Sequence, residues 1–254
     1  MARVIVVSGG GTGIGRAVAE RFARDGDEVV VIGRRADVLE RAAAEIAEAG
    51  ALAKVVPLAA DLAEPAEADR VREVLGREYG RVDVLVHSAG GNAALDAPPA
   101  EGSPAARAAA HWTGNFRANV LTTVLLTEAL RDLLASPGGR VVLLSSIAAY
   151  RGSGSGSYGG AKAALHPYAY DLAAALGGQG VTVNVVAPGY TAGTEFFRGA
   201  LSAERERTLV GQTSTGRAGT PQDVAETVHW LASPASGHVT GQIVQVNGGA
   251  ERGR

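Results

Sequence analysis

The sequence predicts an α/β protein built on one doubly wound parallel sheet of about seven strands flanked by helices. Two observations predict it. Seven short, β-branched apolar runs alternate along the 254 residues with longer helix-like segments, the pattern of a parallel sheet joined by crossover helices. The runs are also nearly continuous in apolar residues, as strands buried on both faces are.

In order, the strand runs are Val4–Val7, Val29–Ile32, Lys54–Leu58, Val82–Val86, Val141–Leu144, Val181–Val186 and Ile243–Val246. Helices are expected at about 13–25, 37–49, 64–79, 115–136, 157–177 and 221–232. The last is announced by Thr220-Pro221-Gln222-Asp223, a cap residue followed by proline in the first turn. Two stretches read as loops. Gly91–Pro104 carries Pro98, Pro99 and Pro104 as breakers. Gly189–Thr220 has helical character only around Ser202–Val210, and a long insertion after a strand's carboxyl end suits a substrate lid at about 190–214. Neither a repeat nor a linker divides residues 1–254, so one domain is expected.

Bulk properties exclude several functions. A net charge of −2 offers no electrostatic footprint for nucleic acid or an anionic membrane. The absence of cysteine rules out disulfides, thiolate metal sites and thiol nucleophiles. No apolar run is long enough for a membrane span. Met1-Ala2-Arg3-Val4-Ile5 enters a strand at once, leaving no room for a signal peptide, so a cytoplasmic location is expected.

Between the first strand and first helix lies Ser8-Gly9-Gly10-Gly11-Thr12-Gly13-Ile14-Gly15. Glycines there let the backbone turn tightly and approach a pyrophosphate, which the free N–H groups of a helix N-terminus then bind. This is the turn of a Rossmann-like nucleotide-binding fold, with Gly9, Gly11, Thr12, Gly13, Ile14 and Gly15 as its candidate contacts. The second strand ends Ile32-Gly33-Arg34-Arg35. Where an acid would read the 2′-hydroxyl of NAD stands a glycine, and two guanidinium groups follow, which suit a 2′-phosphate. NADP(H) is therefore the expected cofactor, with Arg34 and Arg35 as readers and Asp37 as an alternative ribose partner. Asp61 and Leu62, after the third strand, are placed to approach the adenine; helix N-capping is the other role open to Asp61.

Tyr158 and Lys162 lie four residues apart on a predicted helix and therefore share a face. Only Lys54 and Lys162 are lysines among 24 basic residues, and a lysine is a compact charge that arginine's flat fork does not imitate. A nearby ammonium favours the phenolate. To exchange protons near neutrality a tyrosine pKa must fall by about three pH units, or roughly 4 kcal/mol. The spacing thus suits a tyrosine acid/base.

With these motifs in order, the chain resembles the short-chain dehydrogenase/reductases over nearly all its length. The likeness is to ketone-reducing members of roughly 250 residues, including 3-oxoacyl-carrier-protein reductases. It rests on Gly9, Gly13 and Gly15; on His87-Ser88-Ala89-Gly90, where the family usually has Asn-Asn-Ala-Gly; on Asn119, Ser146, Tyr158 and Lys162; on Pro188-Gly189; and on the tail Gly216-Arg217-Ala218-Gly219-Thr220-Pro221 with Val246-Asn247-Gly248-Gly249. The resemblance implies that Tyr158 gives its proton to the carbonyl oxygen and that Ser146, rather than its neighbour Ser145, orients that oxygen. Lys162 would hold the nicotinamide ribose and lower the tyrosine pKa, and Asn119 would position a water leading to solvent. Ser88, Ala89, Gly90, Pro188, Gly189, Thr191 and Thr194 would join the cofactor site. His87 is expected to be structural and Ser88 to make fewer hydrogen bonds than an asparagine. Thr12 stands near the family's usual basic residue.

The pocket is expected under the lid, lined by Ala148, Tyr150, Tyr190, Ala192, Phe196, Phe197 and Leu201, an aromatic wall suited to a flat apolar substrate; Phe196 and Phe197 could instead bury the lid helix. The expected activity is NADPH-dependent reduction of a small-molecule ketone. The substrate would be 3-oxoacyl or polyketide-type, including polycyclic aromatic ketones of the angucycline kind. An NAD-dependent alcohol or sugar dehydrogenase and a non-catalytic NADP-sensing module are the alternatives. The family also implies a homo-oligomer, dimer or tetramer, pairing through the helices at 115–136 and 157–177.

Overall fold

A computed structural model describes residues 2–96, 101–152, 154–199 and 201–252. Seven parallel strands form one sheet in the order β3-β2-β1-β4-β5-β6-β7. They are β1 Val4–Ser8, β2 Glu28–Gly33, β3 Val55–Ala59, β4 Val84–His87, β5 Arg140–Leu144, β6 Thr182–Pro188 and β7 Ile243–Val246. The order reverses between β1 and β4, and the crevice above such a switch point is where a parallel α/β sheet binds its ligand.

Side chains alternate across the pleat, so each strand feeds two cores. Ile5, Val7, Val29, Val31, Val84, Val86, Val142 and Leu144 pack under α1 (Gly13–Arg24), α2 (Ala36–Glu48) and α10 (Pro221–Leu231). Val6, Val30, Ile32, Leu85, Val141, Leu143, Val183 and Val185 pack under α3 (Pro65–Glu78), α6 (Thr122–Leu130) and α8 (Gly156–Gly177). Phe22, Ile5, Ile32, Leu126 and Leu165 are almost wholly buried, each stabilising the fold by about 1.5–3 kcal/mol before chain entropy is counted.

One helix starts well before its expected place, and one strand after it. The helix expected to begin at 115 begins at Pro104, as α5 (Pro104–Phe116). Ser103 caps it by accepting from the Ala106 N–H at 3.2 Å, and proline at the first position is an initiator, because its missing N–H would have been unbonded anyway. α5 then passes through a π-helical turn, Arg117–Leu121, into α6 and a 3₁₀ turn at Arg131–Leu133. The expected Gly91–Pro104 loop ends where α5 begins and holds a turn of helix, α4 (Ala93–Asp96); Pro98 and Pro99 lie outside the described residues. Val82 forms an isolated bridge to Leu134 rather than opening β4.

After β5, α7 (Ala148–Arg151) precedes α8. After β6 the chain forms a 3₁₀ turn, Glu195–Phe197, and α9 (Ala203–Gly211). The tail motifs bind this segment to the sheet. Arg217 forks onto both Asp223 oxygens at 2.6 and 2.8 Å, and Thr220 and Asp223 make a capping box at the start of α10. Ser214 and Thr215 donate their N–H groups to the Gly248 carbonyl.

Candidate active site

The glycine turn closes because it has no side chains. A Cβ on Gly9 would sit 2.8 Å from the Ala89 backbone, and one on Gly15 only 2.2 Å from the Gly9 carbonyl oxygen. Gly9 and Gly13 also adopt φ of +68° and +52°, which side chains rarely do. Thr12 is the N-cap of α1 but makes no side-chain cap bond, and the first turn holds no acid. The first-turn N–H groups around Gly13, Ile14 and Gly15 are thus left to an anion. Gly11 faces Val38 and Leu39. This bare cradle fits a pyrophosphate.

β4 delivers the next residues. The Ser8 hydroxyl accepts from the Ala89 N–H at 3.1 Å, stitching β1 to β4. Ser88 approaches the glycine turn, its Oγ 3.1 Å from where a Cβ on Gly15 would stand. A Cβ on Gly90 would meet Asn119 Oδ1 at 2.5 Å and Lys162 Nζ at 3.1 Å, so these two groups flank a bare backbone. His87 is buried beneath, its Nε2 2.9 Å from Thr127 Oγ1 and its Nδ1 without a partner. Burial holds its pKa down to about 3; it is a neutral core residue, not a base at the site.

Asn119 lies in the π-helical turn, fully buried. Its carboxamide accepts from the Gly91 N–H at 3.1 Å and donates to the Gly91 carbonyl at 2.8 Å, which fixes the loop after β4. Four residues earlier Asn115 does the same for the Ala93 N–H at 3.0 Å and donates to Ser157 Oγ at 3.0 Å. Sequence inspection passed over Asn115, although the Asn115/Asn119 spacing of one helical turn marked it.

Ser146, Tyr158 and Lys162 converge where α7 and α8 leave β5. The Ser146 hydroxyl accepts from the Ala148 N–H at 3.1 Å and lies near enough to the Tyr158 phenol to favour its ionised form. Ser145, whose side chain is buried, donates to the Lys162 carbonyl at 3.0 Å and lies 2.8 Å from His166 Nε2; it anchors α8. Lys162 donates from Nζ to the Leu144 carbonyl at 2.8 Å. Here the charge logic of the spacing is corrected. Burial pushes the Tyr158 pKa up to about 12, with only the Ser146 hydroxyl opposing it, and burial pushes Lys162 down to about 8. The lysine points at a strand-end carbonyl and does not depress the phenol in the protein alone.

Residues after β6 cover this face. The Ile147 N–H donates to the Pro188 carbonyl, and Gly189 packs on Asn247 so closely that a Cβ would sit 2.7 Å from that residue's own. Thr191 is buried and Ala192 is held to Gly219. Thr194 lies against Gly13. Phe196 meets the Tyr158 ring at 5.3 Å and Phe197 at 5.0 Å, and Phe197 meets Tyr190 at 6.0 Å. Tyr190 donates to Glu206 at 2.8 Å. The expected aromatic wall is thus divided: Tyr150 makes its ring contact with His166 at 5.2 Å, not with this cluster. Ala148 is buried behind Ser146 and Leu201 is half-buried at the start of α9.

The arginines are also divided. Arg34 is exposed, whereas Arg35 pairs with Glu195 at 3.1 Å. Asp61 accepts from the Ala63 N–H at 3.1 Å and lies 3.4 Å from Arg117. It closes a turn before α3, whose N-cap is Glu64, so it is not the helix cap weighed above. Leu62 is buried beside it. Among the described residues no group of acidic and histidine side chains could hold a metal ion.

A family model described as enoyl-(acyl carrier protein) reductase matches residues 9–251. The chain belongs to the short-chain dehydrogenase/reductase family. As a member it is 33% identical over 97% of its length to the short-chain reductase protein NovJ of Streptomyces niveus, covering 93% of that protein. It is 32% identical, over 97% of this chain and 96% of the other, to the 3-oxoacyl-[acyl-carrier-protein] reductase FabG of Escherichia coli. A short-chain dehydrogenase from Burkholderia cenocepacia, solved in complex with NADP, superposes with a TM-score of 0.83 at 28% identity, covering 98% of this chain and 97% of that one.

Proposed function

We propose that this short-chain dehydrogenase/reductase is an NADPH-dependent ketone reductase. The observation that carries the proposal is the Ser146 hydroxyl set near the buried Tyr158 phenol, on the helix that also carries buried Lys162, whose Nζ lies beside Gly90. NADPH would supply the hydride. Gly9, Gly13 and Gly15 with the start of α1 would hold its pyrophosphate. Arg34 and Arg35 would hold the 2′-phosphate, Asp61 and Leu62 would flank the adenine, and Ala89, Gly90, Lys162, Pro188, Gly189, Thr191 and Thr194 would border the nicotinamide half. A phenol with a pKa near 12 stays protonated at neutral pH and is an acid ready for the alkoxide that forms as a ketone is reduced. Ser146 would donate to the same oxygen and hold it against Tyr158. Lys162, with its pKa near 8, carries its charge at pH 7, and Asn119 keeps the Gly90–Gly91 backbone beside it in place.

The substrate is proposed to be a 3-oxoacyl or polyketide-type ketone. The relatives named as a 3-oxoacyl-carrier reductase and as NovJ support the class. The Phe196–Phe197–Tyr190 cluster beside Tyr158 supports a flat, angucycline-like aromatic member of it. Residues 1–254 would act as one unit with 190–214 as the lid. We further infer a cytoplasmic homo-oligomer, dimer or tetramer. Trp112 and Phe116 on α5 and Tyr170 on α8 are exposed aromatic residues on the helices expected to pair, and no helix among the described residues is long and apolar enough to cross a membrane.

A panel of acyl thioesters, an enoyl thioester, fused-ring quinones and simple ketones, each with NADPH and NADH, tests the activity. Ketone reduction with NADPH is expected, and Tyr158→Phe should lower kcat by about 10²–10⁴-fold. Turnover confined to the enoyl thioester, a strong preference for NAD in alcohol oxidation, or an unimpaired Tyr158→Phe enzyme would each overturn the proposal.

A further inference from the structure

Three consecutive residues of the 3₁₀ turn and its cap reach three separate parts of the site. Thr194 lies on Gly13 of the glycine turn, its Cγ2 3.4 Å from where a Cβ would stand. Glu195 pairs with Arg35 at 3.1 Å. Phe196 packs on the Tyr158 ring at 5.3 Å. The segment is therefore a strap from the pyrophosphate cradle, past the 2′-phosphate reader, to the proton donor.

We propose that Glu195 is a cofactor-selectivity residue, a carboxylate that occupies Arg35 until the 2′-phosphate of NADP(H) displaces it. The inference rests on the NADP reading given above. Glu195 and Arg35 are 160 residues apart and their side chains are 63% and 59% exposed. Such a pair is weak and readily exchanged. A 2′-phosphate carries a charge of about −1.5 to −2 and accepts from a guanidinium in the same forked geometry, so it outcompetes one exposed carboxylate. The neutral 2′-hydroxyl of NAD does not, and leaves Arg35 on Glu195. The two arginines consequently do different work. Arg34 meets the phosphate without giving up an acid, whereas each NADP(H) molecule that enters has to exchange Glu195 for phosphate on Arg35.

The test is titration calorimetry of NADP⁺ and NAD⁺ at low ionic strength, where exposed pairs are least screened. It uses the intact protein, Glu195→Gln, Arg35→Ala, the double variant of these two, and Arg34→Ala. Removing the competing charge should tighten NADP⁺ by about two- to fivefold, the range of an exposed pair, and leave NAD⁺ unchanged. Arg35→Ala should weaken NADP⁺, and in that background Glu195→Gln should have no effect, since the two residues act through one contact. The proposal falls if Glu195→Gln leaves NADP⁺ affinity unchanged, shifts both cofactors equally, or still tightens NADP⁺ without Arg35; the last outcome would mean general repulsion. Should Arg35→Ala and Arg34→Ala each leave NADP⁺ affinity intact, the NADP reading itself fails as well. That outcome is distinct from the latch failing alone, in which Arg35→Ala weakens NADP⁺ and Glu195→Gln does nothing.

Discussion

Replacing Gly90 with alanine would strike the site through packing, on top of a backbone φ of +157° that side chains rarely adopt. The added Cβ would stand 2.5 Å from Asn119 Oδ1 and 3.1 Å from Lys162 Nζ. An ordinary contact of this kind is about 3.4 Å, so the carboxamide must retreat by about 0.9 Å. That retreat strains or breaks both Asn119 bonds to Gly91, now 3.1 and 2.8 Å. At about 1 kcal/mol for each such bond, the expected loss of stability is about 2 kcal/mol. Lys162 has little room to yield, being held at 2.8 Å on the Leu144 carbonyl. A misplacement near 1 Å in a catalytic constellation typically lowers activity by about 100-fold. Urea unfolding and kcat/KM for a reducible ketone measure the two effects. Gly156→Ala is the control. Nothing lies within 4 Å of its added Cβ, and it should be neutral or stabilising by up to about 1 kcal/mol. A Gly90→Ala protein whose stability lies within about 0.5 kcal/mol of the parent, the spread of ordinary surface substitutions, and whose kcat/KM is unchanged would show that the close approach of Asn119 and Lys162 to Gly90 is wrong.

The buried titratable groups give further expectations. Lys162 has a folded pKa near 8 against an ordinary 10.5. Between these values the unfolded chain holds the proton and the folded chain does not, so stability rises with pH through that window, by about 1.4 kcal/mol per pH unit at most. Lys162→Met should remove this rise, so the stability difference between the parent and the variant should be flat below about pH 8 and grow with pH toward about 9.5 in unfolding experiments. His87 follows the same rule lower on the scale, with a folded pKa near 3 against 6.5. Its contribution is present above pH 6.5 and is lost as pH falls toward 3, again by at most about 1.4 kcal/mol per unit. His87→Asn, the residue the family usually carries there, should flatten the acid limb; an unchanged acid profile would mean that His87 is not the group responsible.

Some of this protein was legible in its residues. Seven β-branched runs fixed the strands to within a residue or two, because a strand buried on both faces has to be apolar throughout. The glycine turn was legible because a helix that starts without a cap and a turn that crosses neighbouring backbone both require bare residues. The YxxxK spacing brought Tyr158 and Lys162 to one helix, as its period requires. Local signals also misled. Pro104 reads as a breaker in sequence yet starts α5, because proline stops and starts helices with the same ring, and only Ser103 capping Ala106 decides which.

What the tertiary structure decided are the quantities that depend on distance across the sheet. Spacing placed an ammonium near a phenol, but burial sets their proton affinities, and it moves them in the opposite sense to the charge. Composition placed four aromatic residues after β5 and β6, but packing put Phe196 on Tyr158, linked Phe197 and Tyr190 to it in turn, and sent Tyr150 to His166. Two adjacent arginines read alike in sequence, yet only Arg35 meets Glu195, 160 residues away. Periodicity and turn chemistry are local and can be read along the chain. Desolvation and long-range pairing arise only when segments far apart in sequence are brought together, and they decide how this site holds its protons and receives its cofactor.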